Sequence, residues 1–202
     1  MPDIVKSKSE NTFTLIEPGT HIARCYAVVN LGLQESSWGP KPKHYLGFEV
    51  TTVRVNWEKD GVKHEGPAII GSTYTSSLSK KAILRLQLES WRGKAFSELE
   101  LEGFDLQVLI GVPCMLSVAH TDDGQYANIA TIMGLPKGTV APPQETPSLK
   151  YVPSDDTAAA DLAALPEWMQ KKIGNQAVKT ENPEPQGTLQ GNPDDFDDDI
   201  PF

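Results

Sequence analysis

Thr20-His21-Ile22-Ala23-Arg24-Cys25-Tyr26-Ala27-Val28-Val29-Asn30-Leu31-Gly32-Leu33 is the stretch on which the fold turns. It is mostly apolar and rich in branched side chains, which reads as one long first strand. Strand alternation puts Ala23, Cys25, Ala27 and Val29 on one face and Arg24, Tyr26 and Val28 on the other.

Outward from that strand, residues 34–43 hold Ser36, Ser37, Gly39, Pro40 and Pro42 and read as a loop, with Trp38 standing near Lys41 and Lys43. A second strand over 44–57 turns Leu46, Phe48 and Val50 inward and Tyr45, Glu49 and Thr51 the other way. Glu58-Lys59-Asp60-Gly61 is a turn, and 68–75 a third strand. Ser79 opens a helix on which Ala82, Ile83, Leu86 and Trp91 recur at helical spacing before Gly93 ends it. A short helical turn covers 97–101. Residues 107–119 read as a buried strand, with Pro113 at an edge or bulge, and Asp122-Asp123-Gly124 leads into a last strand over 126–133. Three strands, a helix and a hairpin is the element order of a five-stranded OB-fold barrel with its helix between strands 3 and 4. The expected class is therefore mainly β, with that barrel in residues 1–140.

Beyond Leu135-Pro136-Lys137-Gly138 the composition shifts to Pro, Ala, Gln, Asp and Glu, too poor in large apolar side chains to offset chain entropy. Residues 141–193 read as a flexible linker. One island interrupts it: over 165–173, Leu165, Trp168, Met169 and Ile173 share a helix face, either packing back on the body or serving as a partner contact. The charge divides at the same place. Residues 1–140 carry 14 Lys and Arg against 15 Asp and Glu, and residues 141–202 carry 4 against 12, so most of the net charge of −9 lies in the last third. An acidic protein is a poor candidate for binding nucleic acid when it is one rigid body, but here the acid is segregated and the body must be judged alone.

No run approaches the roughly 20 apolar residues of a membrane span, and no N-terminal apolar run suits a signal peptide, so a cytoplasmic protein without a membrane partner is expected. Cys25 and Cys114 each sit in an apolar strand-like run and read as reduced core thiols. His21, His44, His64 and His120 are isolated from one another and from other metal-binding side chains, and Gly61, Gly66 and Gly71 lack the Lys and Ser/Thr of a phosphate loop. Glu98, Glu100, Glu102 and Asp105 read as the solvated face of a short helix rather than a two-metal site. Neither an enzyme, a metal nor a cofactor is expected.

Binding a single nucleic-acid strand without regard to sequence needs positive charge along the backbone path and flat rings on which bases stack. Tyr26, Trp38, Tyr45, Trp57 and Tyr74 lie on or beside the first three strands, accompanied by Arg24, Lys41, Lys43, Arg54, Lys80 and Lys81. Trp91 and Phe48 belong to the core. Trp38 and Tyr45 are the rings expected to be exposed.

The last nine residues are Asp194-Asp195-Phe196-Asp197-Asp198-Asp199-Ile200-Pro201-Phe202, and no Lys or Arg follows Lys179. A solubilising tail has no use for Phe196, Ile200, Pro201 and Phe202, whereas a docking peptide does: an aromatic plug, a terminal carboxylate and an acidic lead-in for a basic rim. This stretch resembles the C-terminal tip of bacterial single-stranded-DNA-binding proteins, and the body is similar to the divergent single-stranded-DNA-binding proteins of bacteriophages. The resemblance implies an OB-fold body that coats single-stranded DNA, and a tip, Asp195 to Phe202, that recruits host or phage enzymes of replication, repair and recombination in the bacterial host cytoplasm. It also implies that the terminal aspartates compete for the body's own basic groove. A homo-oligomer stays open. The rival expectation is an interaction decoy that copies the host tip and binds host enzymes without binding DNA.

Overall fold

The computed structural model describes residues 15–59, 61–153 and 159–175. One mainly β unit emerges from β1 (Gly19–Gln34), β2 (Lys41–Lys59), β3 (Val62–Thr75), β4 (Pro113–His120), β5 (Ala127–Met133) and β6 (Leu149–Tyr151). Five strands pair antiparallel in the order β3-β2-β1-β4-β5, and β6 runs parallel to β1, leaving the sheet open. Three short helices and one of ten residues complete it: α1 (Ile83–Arg92), α2 (Glu98–Glu102), α3 (Ala159–Ala163) and α4 (Glu167–Gly174).

β1 is the organising strand because both of its edges are used. One edge pairs with β2 from Arg24 to Gln34. The other pairs with β4 only as far as Arg24. Beyond that point, Cys25 exchanges backbone hydrogen bonds with Gly111 and Val112, and β6 takes Ala27 to Val29. The short β6 thus satisfies backbone groups that β4 leaves behind, which buried strands require.

A bulge between Cys25 and Ala27 changes the faces of β1. Cys25 and Val28 enter one core with Leu46, Phe48, Val50, Leu88, Trp91, Leu116 and Ile132, while Tyr26, Ala27, Val29 and Leu31 enter a second with Tyr45, Tyr151, Leu165, Met169 and Ile173. The face reading of β1 is corrected accordingly: Ala27 and Val29 side with Tyr26, and Val28 with Cys25. A bulge adds one residue, and one residue flips every side chain beyond it.

The β2 reading holds for Leu46, Phe48 and Val50, all fully buried in the first core. Phe48 and Trp91 meet with ring centres 5.6 Å apart, and the indole Nε1 donates to the Pro113 carbonyl at 2.9 Å. Pro113 heads β4, where its missing N–H costs no ladder bond. Other boundaries move. β3 begins at Val62, and of the 107–119 stretch only 113 onward is strand, preceded by a 3₁₀ turn over Leu106–Leu109. α1 starts at Ile83 rather than Ser79 because Ala82 is extended, and it buries Leu84, Leu88 and Trp91 while Leu86 faces out. Gly93 closes it in the left-handed region at φ 67°, and Ser97 with Glu100 forms a capping box on α2.

The linker reading of 141–193 is corrected for residues 142–152 and 159–175, which pack onto the sheet. Arg24 donates to the Pro142 carbonyl at 2.9 Å. The Glu49 carboxylate, 0% exposed, accepts from the backbone N–H of Glu145 at 3.0 Å and of Thr146 at 2.7 Å. α4 then lays Met169 and Ile173 on Tyr26 and Tyr45, so of the two roles open for the 165–173 island, packing on the body is the one found. Burying side chains of this size is worth about 1.5–3 kcal/mol each. The packed unit therefore includes described residues beyond 140, among them Tyr151, Leu165, Met169 and Ile173. Cys25 and Cys114 are free and buried, and loss of water pushes the Cys25 thiol up to about 12 and Cys114 up likewise. Among the described residues, no helix is long and apolar enough to cross a membrane.

Candidate nucleic-acid interface

The residues singled out for nucleic acid fall into three places, and the first is the interior. Tyr26, Tyr45 and Tyr74 are buried. Tyr45, expected to be exposed, is corrected: its ring lies across Gly71 and Gly47, where a β-carbon would run into it, and Trp168 of α4 meets it edge-on at 5.4 Å. Tyr26 and Tyr45 share a side-chain hydrogen bond, and burial raises both phenols. None of these three rings presents a face to a base. Arg24 is occupied as well, its guanidinium donating to the Gly111 and Pro142 carbonyls.

The second place is the end of the sheet where the β2–β3 hairpin projects. Trp57, 47% exposed, stacks on His64 with centres 5.6 Å apart and planes 16° from parallel, its ring crossing Gly66. Beside it opens a cleft of about 1070 Å³ whose lining includes Val55, Ile69 and Tyr126, the last 62% exposed on the β4–β5 turn. The charged residues lining that cleft are Glu58, Glu65 and Glu145. Arg54 stands beside them, bridging Glu145 at 2.8 Å and Glu65 at 3.2 Å, and the Glu145 hydrogen bond is the main reason its guanidinium holds its proton more tightly. The charged lining is therefore carboxylate, with Arg54 already engaged and Lys63 standing across the hairpin from Glu58.

The third place is the opposite end, where β1 finishes and β2 begins. Trp38 stands 60% exposed in the turn closed by Gly39 N–H donating to the Ser36 carbonyl at 3.0 Å. Lys41 pairs with Gln34 and Lys43 with Gly32 across the two strands. The β3–α1 connection that carries Lys80 and Lys81 starts against β2: Ser76 N–H donates to the Pro42 carbonyl at 2.8 Å, and His44 Nδ1 meets Ser76 Oγ at 2.6 Å. Burial lowers the His44 pKa, so its ring is neutral near pH 7. Lys80 and Lys81 are exposed. Trp38, Lys41 and Lys43 thus share the β1–β2 end, while Lys80 and Lys81 follow a connection that leaves from the His44 side, the opposite face of β2 from Lys41 and Lys43.

Sequence reasoning did not assign Tyr126, Trp168 or Lys172 to nucleic acid, although it left the 165–173 island open as a partner contact. Trp168 was visible only as part of an apolar island, and Tyr126 only as the residue after a turn. The tip residues Asp195, Phe196, Asp197, Asp198, Asp199, Ile200, Pro201 and Phe202 lie outside the described residues. Among the described residues, no group of three or more His, Cys, Asp or Glu is placed to hold a metal ion; Glu100 is instead tied to Arg92, and Asp105 caps the 3₁₀ turn. No protein-family model matches the chain, and no curated protein matches it either.

Proposed function

We propose that this is a single-stranded-DNA-binding protein of bacteriophage type that acts in the bacterial host cytoplasm, its sheet a divergent, open version of the five-stranded OB barrel. The strand order β3-β2-β1-β4-β5 with a helix between β3 and β4 supports the barrel reading. The observation that carries the function is the grouping of exposed Trp38 with Lys41 and Lys43 at one end of the sheet. Phosphates are attracted by the lysines and a base stacks on the indole, a sequence-tolerant combination. Coating exposed strands is the body's task. Bringing enzymes to them belongs to the acidic, aromatic tip, which raises their local concentration through its tether.

The test uses the full chain, because a fragment ending at 140 would strip Tyr151, Leu165, Met169 and Ile173 from the second core. Titration of labelled oligo-dT at two salt concentrations is expected to show binding whose log-log salt slope is about 0.7 per phosphate contact. Absence of binding at low salt would overturn the DNA role and favour the decoy. Deleting residues 194–202 is expected to abolish capture of a tip-binding enzyme while leaving DNA affinity equal or higher at low salt. Capture that survives the deletion would remove the tip from the recruiting role.

A further inference from the structure

We infer that α4 is part of the DNA-binding surface, with Trp168 as a second stacking ring and Lys172 as a phosphate contact; this rests on the single-strand reading above. On β2, Lys41, Lys43 and Tyr45 are two residues apart, so all three point to the same face of the sheet. Tyr45 on that face is covered by α4, which meets it with Trp168 at 5.4 Å. The helix runs from there toward the β1–β2 turn, where Gln34 Nε2 donates to the Lys172 carbonyl at 2.9 Å, and Gln34 is the cross-strand partner of Lys41. Lys41 and Lys43 therefore lie alongside Trp168 and Lys172, with Trp38 at the far end of the row.

Trp168 is held but not hidden. It meets Tyr45 in a T-shaped contact, and the residue is 44% exposed. A ring already held by packing loses little freedom when a base stacks on it. Lys172 Nζ lies over the ring, 6.0 Å from its centre, and is exposed, so a base that stacks there takes its place and leaves the ammonium in reach of the adjoining phosphate. Lys171 is already engaged with Glu167 at 2.7 Å, which leaves Lys172 as the cation α4 contributes. The helix C-terminus carries partial negative charge, and these two lysines in its last turn offset it. What the composition presents as linker thus closes one side of a track whose other side is β2.

The experiment reads Trp168 directly. In full-length protein carrying W38F and W57F, the remaining indoles are buried Trp91 and exposed Trp168. Oligo-dT is expected to quench the emission that a further W168F removes, and binding followed by anisotropy should weaken about 5- to 100-fold for W168A in the otherwise native chain. K172Q, an exposed change that leaves the Tyr45 contact intact, is expected to lower the salt slope by about 0.7. If the chain binds oligo-dT with no quenching of Trp168 and an unchanged slope for K172Q, α4 is a structural cover only and the inference fails while the function stands. If the native chain binds no oligo-dT at low salt, both fall together.

Discussion

The two ends of the sheet carry similar rings in opposite electrostatic settings. At the β1–β2 turn, Trp38 stands with Lys41 and Lys43; at the β2–β3 hairpin, Trp57 and Tyr126 flank a cleft lined by Glu58, Glu65 and Glu145. Exposed aromatic side chains alone do not define a site for nucleic acid. The surrounding charge decides, because it sets whether a phosphate chain is drawn in or turned away before any base can stack.

The largest expected effect breaks the basic end. K41E/K43E should cost roughly 3–6 kcal/mol in oligo-dT binding, two charge-assisted contacts at about 1.5–3 kcal/mol each. E58Q/E65Q at the other end should change affinity by no more than about threefold, since exposed charges that distant are screened at physiological salt. Equal losses from the two variants would abolish the contrast. Next, W38A should weaken binding by about 1–3 kcal/mol without lowering the melting temperature, whereas W57A should leave it nearly unaltered. A reversed ranking in anisotropy titrations would move the site to the cleft.

Two glycines sharpen the comparison through stability. Gly71 lies under the buried Tyr45 ring and Gly66 under the exposed Trp57 ring, 2.9 Å from where a β-carbon would stand in the latter case. G71A should cost about 1–3 kcal/mol in chemical denaturation, the range for overpacking a filled core, while G66A should cost less because the indole can swing into solvent. Equal costs would mean that Tyr45 is looser than its burial indicates.

The smallest effect lies off both ends. The Ser97 backbone N–H, the Ser97 hydroxyl and the Arg92 guanidinium hold the Glu100 carboxyl down at about 2 from an ordinary 4.5. A lowered carboxylate pKa contributes stability that is complete above about pH 4.5 and is lost as pH falls toward 2. E100Q should flatten the acid limb of a stability profile in that window and leave DNA binding at neutral pH alone. If E100Q alters that binding, the charge contrast extends beyond the two ends.

Local grammar was legible in the chain. A branched apolar run marked β1, alternation marked β2, Gly61 marked the hairpin although Glu58 and Lys59 belong to β2, Gly93 and Ser97 marked helix ends, and Phe48 and Trp91 read as core, because each signal lies within a few residues of what it specifies. Trp38 was legible as exposed for the same reason: its neighbours in sequence are turn residues. Tyr45 was not, since what buries it arrives more than a hundred residues later. Glu49 looked like an outward polar residue, yet it binds backbone N–H groups 96 and 97 residues away.

By itself, then, the sequence determined the order of the first five strands and two helices, the inward set of β2, the segregation of acid into the last third and the composition of the tip, all properties of short windows or of plain counting. Tertiary structure alone decided the bulge that exchanges the faces of β1, the return of β6 and α4 onto the sheet, and which rings stay in solvent. Those depend on contacts between distant segments, where one inserted residue or one docked helix reverses burial while leaving every local pattern unchanged.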